Sequence, residues 1–154
     1  PSSTIKGGIL GSEGHAVPRD LLALRGDESE PRVRLLIEAG SGITAADYIS
    51  ILRRRAEIIR LYKFHTQGLD AVALPTVMIV PPPITALAKD PDYARINGMS
   101  LRNTTIGNFL DCCAISIPAN EKGAAPVGLM LMGRWGCDEV LFASADAVEE
   151  SLQL

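Results

Sequence analysis

Three rhythms of apolar and polar positions run along this chain of 154 residues. The clearest is helical. Tyr48, Ile51, Leu52, Ile58, Ile59 and Tyr62 recur at helical spacing, predicting a helix of about 20 residues that ends before Gly68. Thr44 followed by Asp47 at its front resembles a capping box, with Asp in place of Glu or Gln. The cations Arg53 to Arg55, Arg60 and Lys63 are assigned to its solvated side, with an anion or substrate role as the alternative. Weaker helical patterns precede it. Pro18 to Leu24 suits a short helix stopped by Gly26, and Pro31 to Ala39 a second one closed by Gly40. In the latter, Val33, Leu36 and Ile37 form one stripe.

The second rhythm is a set of short apolar runs bounded by breakers. "LDAVALPTV", headed by Asp70 and stopped by Pro75, predicts a buried strand. Ala114 to Ile117, ended by Pro118, and Val127 to Met132 predict two more, joined by a polar loop through Glu121, Lys122 and Gly123 that is long enough for an antiparallel return. Gly128 permits close approach of a neighbouring backbone. Asp138 then caps a last helix in which Leu141, Ala145, Val148 and Leu152 share a face. Helices feeding strands imply α/β layering, and the expected fold class is α/β: a partial mixed β-sheet with flanking helices.

The third rhythm is its absence. Pro81, Pro82 and Pro83 remove three backbone donors, so the segment around them is expected as a stiff, extended surface stretch. Tyr93 to Thr105 is ambiguous and expected to be partly helical. Residues 1–14 carry Gly7, Gly8, Gly11 and Gly14 and few apolar groups, and are expected as a loop or a cut end. The length suits one domain, 1–154, with a core of its own.

Composition narrows the function. A net charge of −3 lacks the basic footprint a nucleic acid requires. No apolar run approaches the roughly 20 residues of a membrane span, and the first residues lack a signal-peptide pattern. Cys112, Cys113 and Cys137 are an odd set with adjacent members, a poor disulfide framework; reduced cysteines in a cytoplasmic protein are expected. Two distant histidines give no zinc pattern, and neither a metal nor an organic cofactor is expected.

Reactive groups are sparse. Ser2 and Ser3 beside Lys6 invite a Ser–Lys reading, but no glycine-rich turn surrounds them and a frayed terminus cannot hold reacting groups in place. Cys112 or Cys113 with His15 or His65 could imitate a cysteine hydrolase, yet the pair of thiols precedes a buried strand, where packing explains them. Asp90 and Asp92 flank Pro91 in an expected loop, and no carboxylates form an acid–base pair. "SLRNTTIGNF" gathers Arg102, Asn103, Thr104, Thr105 and Asn108. Such groups beside a sheet can orient an amide or carboxylate; alternatively, they bond local backbone.

Taken in order, "DAVALPTVMIVPPPI", "RNTTIGNFLDCCAISIPAN" and "APVGLMLMGRWGCDEVLFASADAVEE" resemble the C-terminal part of amidase signature family enzymes. Matching features are Pro75-Thr76 with Pro81 to Pro83, an Ala-Ile-Ser-Ile-Pro strand, and Pro126, Val127, Gly128, Leu129 and Gly133, with Met130 where Gln is frequent. "EGHAVPRD" and "VRLLIEAGSGITAADYISILRRR" are similar to the helical stretch before them, so the resemblance spans residues 12–151. "LDCC" at Leu110 to Cys113 departs from the Gly-Leu-Pro turn common there.

The resemblance implies an enzyme that cleaves carboxylic amides through a Ser–Ser–Lys triad. That triad belongs to the family's N-terminal half, and no stretch here matches it. No catalytic residue is therefore carried over, and the chain alone is expected to be inactive. By position, Arg34, Arg102, Asn103, Thr104 and Asn108 fall where relatives place substrate-contacting groups. Implied partners are a small-molecule amide in the intact enzyme, and the missing N-terminal half or a second copy; nucleic acid and membrane are not implied. Alternatives are a protein like the A-type component of a glutamyl-tRNA(Gln) amidotransferase, from the same superfamily, and a non-catalytic interaction scaffold.

Overall fold

A computed structural model describes residues 8–152. Its helices are α1 (Gly8–Ala16), α2 (Arg19–Arg25), α3 (Pro31–Glu38), α4 (Ala45–His65), α5 (Asp90–Phe109) and α6 (Asp138–Leu152); its strands are β1 (Val72–Pro75), β2 (Cys113–Pro118) and β3 (Gly128–Gly133). The chain divides into two compact units, Pro1–Glu57 and Ile58–Leu154. Ser2, Ser3 and Lys6 lie outside the described residues.

Among the described residues, the first unit has helices and no strand. Residues 8–14, expected as loop or cut end, form most of α1. Glycine there permits a close approach: Gly11 and Gly40 are both buried, and a Cβ on Gly40 would collide with the Gly11 carbonyl. Pro31 opens α3, and the Glu30 carboxylate caps it by accepting the Val33 N–H at 2.9 Å. Val33 and Leu36 of the expected stripe are exposed. The capping box is present at α4: the Thr44 hydroxyl accepts the Asp47 N–H at 3.1 Å, and the Asp47 carboxylate accepts the Thr44 N–H at 3.3 Å. Arg53 and Arg54 are exposed and Arg55 half-buried.

The second unit is built on a three-stranded sheet of order β1-β3-β2. Both pairings are antiparallel, where a mixed sheet was expected; Cys113 faces Gly133 and Val72 faces Met132. Strand β1 is an edge strand with alternate residues exposed, rather than buried as expected, because its outer side carries no strand among the described residues. On one face, Ile117 and Leu131 pack with Leu141 and Ala145 of α6, flanked by Val148 and Leu152. The expected face of the last helix is thus the one that is buried.

On the opposite face lie Met130 and Met132, also buried. Helix α5 approaches there at Gly107, where an added Cβ would stand 3.4 Å from the Met132 sulfur. This helix was only partly expected. Pro91 and the acidic Asp90 and Asp92 form its first turn, so the two carboxylates stand on a helix start rather than in a loop. Its pattern is blurred by Gly98, Gly107 and the pair Thr104-Thr105, all weak helix formers.

The unusual "LDCC" turn ends α5. The Cys112 N–H donates to the Gly107 carbonyl at 3.0 Å and the Asp111 N–H to the Asn108 carbonyl at 3.4 Å. Asp111 has φ +55°, so this is a Schellman stop with Asp where glycine is usual. No single helix among the described residues is long and apolar enough to cross a membrane.

Candidate functional site

The second unit contains an open cleft of about 560 Å³ on the α5 side of the sheet. Its walls are the segment Thr76–Pro82, Ser100 of α5, the end of β2 and the start of β3. None of the side chains lining it is charged: the wall is Val, Ile, Pro and Gly with Thr76, Ser100, Ser116 and Asn120 as its polar members.

Local structure forces this shape. The Thr76 N–H donates to the Gly128 carbonyl at 2.8 Å, extending the β1–β3 ladder by one bond. Past Thr76 the chain meets Pro81 to Pro83 and cannot continue as a paired strand, so it peels away and walls the cleft. Thr76 Oγ1 and Ser116 Oγ lie 2.5 Å apart across β3. They meet over Gly128, where a Cβ would sit only 2.6 Å from Thr76 Oγ1 and collide with Ser116 Oγ as well. Gly128 is therefore required by contact rather than by its backbone angles.

The other polar lining groups are committed to backbone. Ser100 donates to the Ile96 carbonyl at 3.0 Å. Asn120 accepts the Val127 N–H at 3.3 Å and donates to the Glu121 carbonyl at 3.2 Å, closing the β2–β3 loop.

The residues singled out from sequence fall as follows. Arg102, Asn103, Thr104 and Asn108 stand on α5. Asn103 Nδ2 donates to the Pro75 carbonyl at 2.7 Å, pinning the last residue of β1 where the cleft wall begins. Arg102 donates to the Met78 thioether at 3.2 Å, on that same segment. Thr104 and Thr105 both donate to the Leu101 carbonyl, the local backbone bonding foreseen as the alternative. Asn108 is exposed near the helix end. Arg34 belongs to the first unit, where it bonds Glu38 at 2.6 Å and Asp27 at 3.1 Å; Glu38, foremost, holds its guanidinium above the ordinary value. Thr76, Ser116 and Asn120 were not singled out. The only signal was the Pro-Thr pair and the Ser between isoleucines, each of which reads equally well as strand filler.

The cysteine–histidine possibility finds no support in the geometry. Burial pushes the Cys112 thiol up, and it shares a hydrogen bond with Tyr62, whose hydroxyl is itself pushed up to about 12, chiefly by burial. Cys113 donates to the Arg134 carbonyl at 3.0 Å. His15 Nδ1 is buried without a hydrogen-bond partner, and His65 packs edge-on against Phe64. Burial, the largest influence on the Cys112 thiol, prevails over Lys63, the least of them, which pulls it down. Among the described residues no group of three or more His, Cys, Asp or Glu side chains could hold a metal.

Against known proteins, the family description "Amidase" matches residues 8–142. The chain is 34% identical over 135 residues to the A-type component of the glutamyl-tRNA(Gln) amidotransferase from Sulfurisphaera tokodaii, covering 84% of this chain and 28% of that protein. It is 32% identical over 111 residues to a fatty acid amide hydrolase from Oryza sativa, covering 70% of this chain and 18% of that one. Among solved structures, the allophanate hydrolase of Kluyveromyces lactis superposes with a TM-score of 0.81 at 22% identity, over 92% of this chain and 23% of that one. The chain belongs to the amidase signature family. It spans little more than a quarter, or less, of the length of these relatives.

Proposed function

We propose that this chain is the C-terminal, substrate-wall portion of an amidase-type hydrolase that cleaves carboxylic amides. The bonds are broken by a Ser–Ser–Lys centre carried on sequence outside this chain, so the chain alone is inactive. The carrying observation is the cleft: it is of small-molecule size, yet no acid or base lines it. A serine or threonine there can bind, but has no neighbour to take its proton.

Within this reading α5 supports the wall. Asn103 and Arg102 fix the segment from Pro75 to Met78. Thr104, Asn108 and Arg34 are further candidates for groups that meet the substrate of the intact enzyme. The missing half, or a second copy, is the expected macromolecular partner. Three free cysteines support a reducing, cytoplasmic setting.

The second reading, a component of a glutamyl-tRNA(Gln) amidotransferase, is favoured by the 34% identity to one such protein. Ammonia release tests the proposal. The purified chain is expected to give none from simple amides, while a longer product of the same gene that carries a Gly/Ser-rich segment with an upstream Lys is expected to give it. Turnover by the 154-residue chain itself would overturn the inactive-fragment reading.

A further inference from the structure

Away from the cleft, the start of β2 and the start of α6 bring two of the three cysteines to one atom. The chain leaves β3 through a tight turn in which the Cys137 N–H donates to the Arg134 carbonyl at 3.1 Å, with Gly136 at φ +73°. The same carbonyl accepts the Cys113 thiol at 3.0 Å, from the strand paired with β3. A second contact fixes that sulfur. A Cβ on Gly133 would stand 3.0 Å from Cys113 Sγ and 3.4 Å from Leu141 Cδ1, so thiol and leucine lie over one glycine. Leu141 is one helical turn beyond Cys137, and its N–H donates to the Cys137 carbonyl at 3.0 Å. Both cysteines are half-buried and within reach of small solutes. Cys112 is turned elsewhere, to the Tyr62 hydroxyl of α4.

We propose that Cys113 and Cys137 form a reversible disulfide when the chain meets hydrogen peroxide, clamping β2 to the start of α6. The clamp stands whether or not the hydrolase reading does. Cys113 has its proton committed to a carbonyl, whereas no hydrogen bond holds the Cys137 sulfur among the described residues, so Cys137 reacts first. Its sulfur gives up a proton to water and attacks one peroxide oxygen; the O–O bond breaks and hydroxide leaves. The Cys113 sulfur then attacks the sulfenic acid so formed. The S–O bond breaks, the S–S bond forms and water departs. Two thiols and one peroxide thus give one disulfide and two waters, the sulfurs oxidised and the peroxide oxygens reduced. Gly136 gives the turn the backbone freedom to close the remaining gap between the sulfurs. The Arg134 carbonyl keeps the Cys137 N–H, so the bridge orphans no acceptor. A bridge between the adjacent Cys112 and Cys113 would instead forfeit the Tyr62 contact and the packing over Gly133.

The test is treatment of the purified, fully reduced chain with hydrogen peroxide at low protein concentration, followed by mass spectrometry and thiol counting. The expected product is a single chain lighter by two hydrogens, with one of the three thiols left. Trypsin, cutting after Lys122 and Arg134, places the partners on separate peptides that stay joined until dithiothreitol is added. Fragment ions of the joined pair distinguish Cys113 from Cys112. Cys112→Ala is expected to keep the bridge, and Cys113→Ala and Cys137→Ala each to lose it. Because the bridge closes a loop that contains all of β3, the oxidised chain is expected to melt about 5 °C or more above the reduced one. A bridge through Cys112, a disulfide-linked dimer in place of the internal bridge, oxygen added to Cys137 with no bridge, or three surviving thiols would each overturn the proposal. So would an oxidised chain that melts no higher than the reduced one.

Discussion

The two units solve the problem of burial differently. In Ile58–Leu154, side chains do the work: Ile117, Met130, Leu131, Met132, Leu141 and Ala145 are all buried about a central strand. Among the described residues of Pro1–Glu57 the buried positions are Gly11, Gly26, Gly40 and Ile51, while Leu10, Leu24, Leu35 and Leu36 are exposed. One unit is held by apolar contact, the other by close backbone approach, helix caps and surface ion pairs. Since burial of apolar area dominates folding free energy and exposed ion pairs add little, the sheet unit should carry most of the stability.

Matched truncations test that difference most sharply. Leu131→Ala, in the sheet core, is expected to cost about 2–5 kcal/mol in urea unfolding, while Leu35→Ala, 65% exposed, stays within about 0.5 kcal/mol. Comparable losses would show that the helical unit has a side-chain core after all. Gly40→Ala drives a methyl group into the Gly11 carbonyl, and a loss of roughly 1–3 kcal/mol is expected, seen as faster amide exchange across α1 with β3 unaffected. Thr44→Ala removes the reciprocal cap of α4 and should cost about 1 kcal/mol. In the other direction, Asp111→Gly relieves a left-handed residue in the Schellman stop, and a gain of about 0.5–1 kcal/mol is expected in thermal melts.

The smallest effect is confined to alkaline solution. Tyr62 has its hydroxyl pushed up to about 12, chiefly by burial, so the folded state holds that proton longer than the unfolded chain does. Its contribution is complete below the ordinary tyrosine value near 10 and is lost as pH rises through about 12. Phenolate absorbance should show a late-titrating component that Tyr62→Phe removes, and the same substitution should flatten that part of the stability profile. A Tyr62 that ionises near the ordinary tyrosine value of about 10 would deny the burial.

Much of the sheet unit was legible in the sequence because its signals agree. Apolar runs end at Pro75 and Pro118, the loop between β2 and β3 is polar, and α6 presents Leu141, Ala145, Val148 and Leu152 at helical intervals. The Thr44–Asp47 cap was equally plain, because both partners lie within one turn. Helix α5 was less legible. Its glycines and adjacent threonines weaken the local preference, and its identity is settled by Pro91 at the start and by packing against Met132. The division into two units left no mark either, since the boundary falls inside α4, where the pattern is continuous.

The candidate site divides in the same way. Residue types on one segment, Arg102 to Asn108, could be collected by eye, but their bonds could not. Asn103 reaches a carbonyl 28 positions away, and Thr76 meets Ser116 from 40 positions away. Contacts at that separation depend on strand register, which appears only once β3 has brought its two neighbours together.

The strand order also dictates when a sheet can exist. Strands β1 and β2 are not neighbours; β3, the last of the three to leave the ribosome, lies between them. A nascent chain halted before Gly128 has neither of its ladders, so the cleft takes shape only with the arrival of a six-residue segment, and α6, which follows it in the chain, packs on a sheet already closed.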